Sequence, residues 1–223
     1  MNNLVDKLFE TGDLSDDELK ILIESDEFNE PLAEAADIRR RENYGDKVYI
    51  RGLIEFTNYC RNNCYYCGIR RDNKKAERYR LTKDEILLCC DEGYRLGFRT
   101  FVMQGGEDPY YTDEMICDIV SKIKSRYPNC AVTLSIGEKP RESYQAFFDA
   151  GADRYLLRHE TADPEHYGKL HPEAMSLENR KECLFDLKEI GYQVGSGFMV
   201  GSPYQKRKIL FPICASCRSF NPT

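Results

Sequence analysis

The chain has 223 residues, ten of them cysteines, and a net charge of −6. Its hydrophobic and aromatic fractions, 41% and 12%, are too high for a disordered chain, and no apolar run approaches the roughly 20 residues that cross a bilayer. The N-terminus has no basic region leading into an apolar core, so we expect no signal peptide and a cytoplasmic protein without a membrane partner. Ten cysteines in such a chain indicate metal or redox chemistry rather than disulfides.

The acidity is concentrated at the N-terminus. Residues 1–48 hold 14 Asp or Glu and 6 Lys or Arg, whereas the other 175 residues have a net charge of +2. Ser15 followed by Glu18 is typical of a helix capping box, and residues 26–41 place acids early and arginines late, as the helix dipole favours. We predict an N-terminal helical segment over residues 1–47. The charge balance does not suggest a broad face for nucleic acid, so we expect no nucleic-acid partner.

From residue 48 the pattern alternates between strands and helices. The predicted strands are 48–57, 99–104, 130–136, 153–158 and 193–200. The predicted helices between them are 82–96, 112–126, 140–150 and 176–190. Regular alternation predicts a parallel sheet with crossover helices. Polar and glycine-rich residues follow the strands, and no G-x-G-x-x-G follows the first strand. The α/β class is therefore predicted as a TIM-type barrel rather than an open doubly wound sheet.

Residues 206–223 depart from this order. They show neither an amphipathic helix nor a further strand in the sequence pattern. Five strand units take up roughly 150 residues, and a barrel of eight needs about 250. We predict an incomplete barrel of about five strands over residues 48–205, followed by an anomalous tail from a frameshifted or truncated end.

Three cysteines form the strongest motif. Cys60, Cys64 and Cys67 follow the first strand with C-x3-C-x2-C spacing. Three thiolates on one loop can bind three irons of a 4Fe–4S cluster, which leaves the fourth iron open to an outside chelator. A zinc site with a remote fourth ligand is the alternative, but such sites usually pair two C-x2-C units or add histidines, and the nearest histidine is 92 residues away. The spacing favours the iron–sulfur cluster.

The other cysteines carry no motif that we assign to chemistry. Five lie on predicted helices or at a strand start, and we expect them to be small core residues: Cys89, Cys90, Cys117, Cys130 and Cys183. Cys214 and Cys217 form a C-x2-C pair in the tail, which we do not assign to a second metal site.

The cysteine segment Phe56–Arg71, FTNYCRNNCYYCGIRR, resembles the radical S-adenosylmethionine superfamily. Within it, this segment is similar to the group that contains the FeFe-hydrogenase maturase HydE, the methylornithine synthase PylB and, more distantly, biotin synthase. Gln104–Pro109 and Tyr155–Thr161 strengthen the similarity to HydE. The resemblance covers about residues 30–205. It implies a 4Fe–4S cluster whose open iron is chelated by S-adenosylmethionine, and reductive cleavage of that molecule to methionine and a 5′-deoxyadenosyl radical.

The resemblance also implies cofactor-binding roles near the cysteines. Tyr66 resembles the aromatic residue beside the adenine; a local packing role is the alternative. Gly105, Gly106 and Glu107 resemble the glycine-rich stretch near the methionine amino group, where glycines let backbone approach a ligand and a carboxylate can accept from an ammonium. A flexible strand-to-helix turn is the alternative explanation for these glycines.

Later strands and helices supply the remaining candidates. By the family match Glu160 binds S-adenosylmethionine and Arg180 contacts its carboxylate, although a surface ion pair is the alternative for Arg180. Ser135 matches a position near the substrate. Arg158 and Glu160 share a strand face, so both can face the cavity, whereas His159 points to the helices and has a structural role.

These residues leave several functions open. The first is a HydE-type radical enzyme that acts on a small iron-bound cysteine complex during assembly of the hydrogenase active-site cluster. The second is a related enzyme with an amino-acid substrate, of the methylornithine synthase or biotin synthase type. The third is an inactive metal-binding fragment. For a radical enzyme, the resemblance implies a small-molecule substrate, an electron donor such as ferredoxin or flavodoxin, and other hydrogenase maturation proteins as partners.

Overall fold

The N-terminal segment forms three helices in the computed structural model, which describes residues 3–220 and side chains through residue 216. The helices are α1 (Asn3–Thr11), α2 (Asp16–Glu24) and α3 (Asn29–Tyr44). The predicted capping box begins α2, since the Ser15 side chain accepts from the Glu18 N–H and the Glu18 carboxylate accepts from the Ser15 N–H. The helices enclose a small core of Val5, Leu14, Leu22 and Phe28. The predicted N-terminal helical segment is confirmed.

Five parallel strands form one sheet. They are β1 (Gly52–Thr57), β2 (Thr100–Gly105), β3 (Ala131–Ser135), β4 (Arg154–Leu156) and β5 (Gln193–Gly195). Their spatial order is their chain order, and every neighbouring pair is parallel. The order therefore never reverses, as it does in a doubly wound sheet, and each strand is added beside the last, as in a barrel. The predicted fold class is confirmed.

Five helices lie between and beside these strands. They are α4 (Lys83–Arg95), α5 (Asp113–Arg126), α6 (Arg141–Asp149), α7 (Pro164–Leu170) and α8 (Leu177–Ile190). The apolar faces of α4, α5, α6 and α8 pack on the sheet in one core, where Val132 and Leu134 of β3 and Phe147 of α6 are fully buried. Burying each such side chain contributes about 1.5–3 kcal/mol. This core fixes the positions of the loops at the carboxyl ends of the strands.

Three predicted strands are longer than the observed ones by three residues or more. The first was predicted over 48–57 but begins at Gly52, and Val48, Tyr49 and Ile50 are exposed. These apolar residues have strand propensity, but β1 is an edge of the sheet and nothing in the described part of the chain pairs with them. The strands predicted over 153–158 and 193–200 have only three residues each, because the chain beyond Leu156 turns into the loop that carries Glu160.

The prediction of no helix in the tail is wrong. A 3₁₀ turn at Arg207–Ile209 leads into α9 (Leu210–Phe220). Ile209 and Ile213, four residues apart, pack with Ala162, and Arg207 donates to the carbonyl of Glu24 at 2.8 Å. The tail therefore packs on the end of the barrel segment and on α2. The Cys217 side chain and residues 221–223 lie outside the described part of the chain.

Most of the other cysteines are core residues, as predicted. Cys90, Cys130 and Cys183 are buried, and Cys117 is partly buried. The prediction is wrong for Cys89, which is exposed. Consecutive residues of a helix point about 100° apart, so only Cys90 of this α4 pair faces the sheet. None of the described helices is both long and apolar enough to cross a membrane.

Candidate functional site

A cavity of about 270 Å³ opens at the carboxyl ends of the strands. Seven residues singled out from the sequence line it: Tyr66, Cys67, Gly105, Ser135, Arg158, Glu160 and Arg180. They come from loops or elements that are far apart in the chain, and the parallel topology brings them together. The other four candidates, Cys60, Cys64, Gly106 and Glu107, lie beside the cavity rather than on its wall.

The cysteine loop follows β1 and is held by backbone hydrogen bonds. Its three cysteines are partly buried free thiols. The Arg61 N–H donates to the carbonyl of Glu107 at 2.9 Å, and the Tyr65 N–H donates to the carbonyl of Leu170 at 2.9 Å. The Arg71 N–H closes the loop on the carbonyl of Asn62 at 2.8 Å. The loop is thus attached to the segment after β2 and to the end of α7.

Arg78 holds the cysteine loop in place through its backbone carbonyls. Its guanidinium donates to the carbonyls of Asn58, Ile69 (2.9 Å) and Arg70 (2.8 Å). A guanidinium has five N–H donors in a fixed fork, so one side chain can join both ends of the cysteine segment. The sequence analysis did not single out Arg78, because no spacing signal marks an arginine that binds backbone carbonyls.

Asp108 holds the base of the same loop. This carboxylate is 5% exposed and accepts from the Thr57 hydroxyl and from Nε of Arg80, both at 2.7 Å. The Arg80 guanidinium stacks on the Tyr59 ring, 3.8 Å from its centroid. Burial acts to raise the pKa of Asp108, but the hydrogen bonds from Arg80 and Thr57 outweigh it and lower the pKa. The ionised carboxylate therefore ties the end of β1 to the segment after β2.

Gly105 and Gly106 let β2 approach the cysteine loop closely. A Cβ on Gly105 would lie 2.7 Å from Cγ2 of Thr57. A Cβ on Gly106 would lie 2.2 Å from the carbonyl oxygen of Tyr59 and 2.7 Å from Cβ of Cys60. Both contacts are too short for any side chain. In this structure the close approach that needs these glycines is made to the chain's own cysteine loop.

Glu107 lies between the cysteine loop and the loop after β3. Its Oε2 is 3.0 Å from a guanidinium nitrogen of Arg61, and its Oε1 accepts from the N–H of Glu138 at 3.0 Å. Gly137 has a φ of +79°, and a Cβ there would lie 2.2 Å from Cγ of Glu107. The buried carboxylate thus joins two loops at the mouth of the sheet.

Glu160 has an unusual backbone conformation. Its φ of +63° lies in the left-handed region, which costs a residue with a side chain about 1–3 kcal/mol. Its carbonyl accepts from the N–H of Met199 at 3.0 Å. Oε1 lies 3.3 Å from Nε of Arg158, while the buried Oε2 has no hydrogen-bond partner among the described residues. Burial raises the pKa of Glu160, and Arg158 and Arg180 oppose that rise.

Arg180 places a buried cation on the cavity wall. The residue is 9% exposed, and its Nε lies 2.6 Å from Oε1 of Glu138. The second oxygen of Glu138 accepts from the Asn179 amide at 2.7 Å. Burial acts to lower the pKa of the guanidinium, but Glu138, Tyr167 and Glu107 together outweigh burial and raise it. Glu138 was not predicted; its only sequence signal is its place directly after Gly137 at the end of β3.

The segment from α7 to Met175 covers the outer part of the cysteine loop. The Tyr66 hydroxyl lies 3.2 Å from Nε2 of His171, and Sγ of Cys64 lies 3.6 Å from Sδ of Met175. Burial lowers the pKa of His171 to about 4, so the ring is neutral near pH 7. The sequence analysis missed α7, because its seven residues are too few to show a helical repeat.

Comparison with known proteins identifies the family. The model of the radical SAM superfamily matches residues 54–209, which is more than half of the chain. The chain belongs to the radical SAM superfamily. Membership implies a 4Fe–4S cluster and S-adenosylmethionine as cofactors.

Individual radical SAM relatives support the same assignment. The chain is 54% identical to the [FeFe] hydrogenase maturase subunit HydE of Thermotoga maritima over 178 residues, 80% of this chain and 50% of that protein. It is 32% identical to the 3-methylornithine synthase of Methanosarcina acetivorans over 200 residues, 88% of this chain and 56% of that protein. The chain thus spans about half the length of the curated relatives it matches.

Two solved structures share the fold. The crystal structure of methylornithine synthase (PylB) matches with a TM-score of 0.88 at 28% identity, over 99% of this chain and 65% of that chain. The structure of HydG, a maturase of the [FeFe]-hydrogenase, matches with a TM-score of 0.85 at 22% identity, over 98% of this chain and 50% of that chain. The second likeness shows the fold alone.

The donor set of this radical SAM chain fits an iron–sulfur cluster. Soft thiolates are the ligands that Fe–S clusters take, and three free thiols lie on one loop beside the cavity. Among the described residues no three Cys, His, Asp or Glu side chains converge closely enough to share a single metal ion; in a cluster each thiolate binds its own iron. Burial raises the pKa of Cys60, and raises that of Cys64 to about 11, so these thiols need a metal to become thiolates at neutral pH.

The cavity wall fits a polar ligand with both an anionic and a donor group. Arg180 offers a fixed cation, for which a carboxylate is the natural partner. The unpaired Oε2 of Glu160 needs a donor, because buried polar atoms are nearly always hydrogen-bonded. An amino acid derivative with hydroxyl groups, such as S-adenosylmethionine, supplies both.

Proposed function

We propose that this chain carries a radical SAM centre that acts in the assembly of the [FeFe]-hydrogenase active site. The observation that carries the proposal is the 54% identity to HydE over 80% of the chain. The cavity supports it, because the cysteine loop, a buried cation and a buried unpaired acceptor all meet there.

Each site residue has a role in this proposal. Cys60, Cys64 and Cys67 would hold the cluster, and Arg180 would bind the carboxylate of S-adenosylmethionine. Glu160 would accept a hydrogen bond from the same molecule through its unpaired oxygen. When bound, the cluster supplies one electron that cleaves the sulfonium C–S bond of S-adenosylmethionine.

The remaining candidates surround this pair of cofactors. Tyr66 would lie beside the adenine, and its bond to His171 sets the orientation of its ring. Gly105 and Gly106 would border the methionine end, with Glu107 behind them, while Ser135 and Arg158 would face the substrate from the strand ends. An exposed side chain and an ion pair to Glu160 leave Arg158 able to reach a ligand.

The partners follow from the proposed reaction. The substrate is a small iron-bound cysteine complex, and the electron comes from a carrier such as ferredoxin or flavodoxin. Other hydrogenase maturation proteins are further partners. Each of these partners is part of the proposal.

Anaerobic reconstitution with iron and sulfide tests the centre. We expect about four irons per chain, a 4Fe–4S electron paramagnetic resonance signal after reduction, and release of 5′-deoxyadenosine from S-adenosylmethionine. Cys64→Ala should abolish all three, whereas Cys89→Ala, an exposed cysteine on α4 away from the site, should change none. Iron uptake that is unaffected by Cys64→Ala would refute the assignment, and iron uptake without 5′-deoxyadenosine would leave a metal-binding chain without the activity.

A second candidate is a radical enzyme with an amino-acid substrate. It is favoured by the match to 3-methylornithine synthase, which covers 88% of this chain at 32% identity, and by the TM-score of 0.88 to PylB. Formation of 3-methylornithine in a mixture of amino acids, by mass spectrometry, would support this candidate over hydrogenase maturation.

A further inference from the structure

We propose that a basic face beside the cysteine loop is the docking surface for a small acidic protein that carries one electron. The basic face consists of Arg70, Arg71, Lys74 and Lys75. The inference rests on the proposed function, because only a cluster that must be reduced from outside needs such a partner.

The charge of this region is opposite to that of the chain. Residues 61–80 contain seven Arg or Lys and two Asp or Glu, a balance of +5, in a chain whose net charge is −6. Three of these cations are used internally: Arg61 pairs with the buried Glu107, Arg80 pairs with the buried Asp108, and Arg78 donates to carbonyls of the cysteine segment. The cations of the basic face remain.

The basic face is available to a partner. Lys74 and Lys75 are exposed, and neither lies within 4 Å of a carboxylate in the part of the chain that the structure describes. Among the described residues the Arg71 side chain pairs with Asp72 alone, and both of these side chains are more than half exposed. A surface pair of this kind contributes about 0–1 kcal/mol, so a better partner can replace it.

Hydrogen bonds attach the basic face to the cysteine loop. The Arg70 guanidinium donates to the carbonyl of Cys67 at 3.1 Å, and the Asn73 amide donates to the carbonyl of Gly68 at 2.7 Å. Asn63 donates to Asp72 at 2.9 Å. A protein bound to these cations therefore sits directly against the loop that carries the cluster ligands.

The position of the face decides the kind of partner. Opposite charges steer association and can raise its rate by 10–10³-fold, but they favour any anion. Contact with the cluster loop is useful to a protein that must bring its redox centre close to the iron. Tyr65, 57% exposed within the loop, adds an aromatic side chain of the type enriched at protein interfaces.

A charge-reversal experiment tests the surface. The probe is a flavodoxin in its hydroquinone form, mixed anaerobically with the reconstituted protein while the cluster absorbance is followed. The test variant is Lys74→Glu with Lys75→Glu. The matched control is Lys206→Glu with Lys208→Glu, which changes the net charge equally at exposed positions of the tail. We expect the test variant to slow reduction at low salt about tenfold or more, the control to stay near wild type, and high salt to remove the difference.

Dithionite separates this inference from the proposed function. With dithionite as reductant the test variant should release as much 5′-deoxyadenosine as wild type; failure of wild type in this arm refutes the proposed function instead. The docking surface is refuted if reduction by flavodoxin is slowed equally in the test and control variants, or if it is slowed in neither. It is also refuted if the test variant loses binding of single-stranded RNA while flavodoxin reduces it at the wild-type rate.

Discussion

Gly106→Ala should displace the cysteine loop. The added methyl would lie 2.2 Å from the carbonyl oxygen of Tyr59 and 2.7 Å from Cβ of Cys60. The obstructing oxygen belongs to the backbone and cannot rotate away as a side chain would. The loop or β2 must therefore move by about 1 Å, and overpacking of this kind costs about 1–3 kcal/mol.

Thermal unfolding and iron content measure this effect together. A loss of that size lowers the Tm by about 2–12 °C for a chain of this length. Because the clash falls on Cys60 itself, we also expect less iron after reconstitution. Gly68→Ala is the matched control: Gly68 lies in the cysteine loop itself, its φ is outside the positive range, and nothing lies within 4 Å of the added carbon.

Equal behaviour of the two variants would refute this reasoning. If Gly106→Ala keeps the wild-type Tm and iron content, β2 does not approach the cysteine loop as closely as described. If both variants lose iron to the same extent, the loss reflects glycine content in the loop region and not the contact with Tyr59.

Two further predictions concern stability. Asp108→Ala leaves Arg80 and the Thr57 hydroxyl without their acceptor and should cost about 1–3 kcal/mol in urea unfolding, whereas Asp72→Ala, which removes an exposed ion pair, should cost about 0–1 kcal/mol; equal losses would contradict the buried role. Burial lowers the pKa of His159 to about 4. Below pH 6.5, the usual pKa of a histidine, His159 is protonated in the unfolded chain but stays neutral in the folded chain. Its contribution to the free energy of unfolding therefore falls as the pH drops from 6.5 toward 4, by up to about 1.4 kcal/mol per pH unit. In urea unfolding of the apo-chain, the free energy of unfolding of His159→Gln should therefore rise relative to that of wild type as the pH is lowered from 6.5 to 4. A difference between the two that does not change with pH would contradict this prediction.

The fold was largely predictable, because parallel strands and crossover helices leave strong periodic signals. Thr82 and Ser176, predicted near two helix starts, are the N-caps of α4 and α8. The short α7 could not be predicted from periodicity. In the tail, Ile209 and Ile213 have the four-residue spacing of apolar residues that is typical of a buried helix face.

The site was predictable to a smaller extent. The cysteine spacing is a local signal, since all three thiols lie within eight residues. Arg78 and Glu138 act through loop carbonyls and a buried ion pair, which form only when distant segments meet. Nothing in the neighbouring sequence marks such contacts, so the groups that hold the loop and Arg180 in place became visible only in the folded chain.

The anchoring of the cysteine loop has a consequence for how metal and folding are coupled. In a zinc finger the metal organises an otherwise unfolded peptide. Here the loop is anchored to Glu107, Leu170 and Asp108, which follow it by about 40 to 110 positions along the chain. Most of the sheet must therefore assemble before the thiols are in place. The cluster should therefore bind to a loop that is already folded. Loss of iron should empty the site without unfolding the barrel segment.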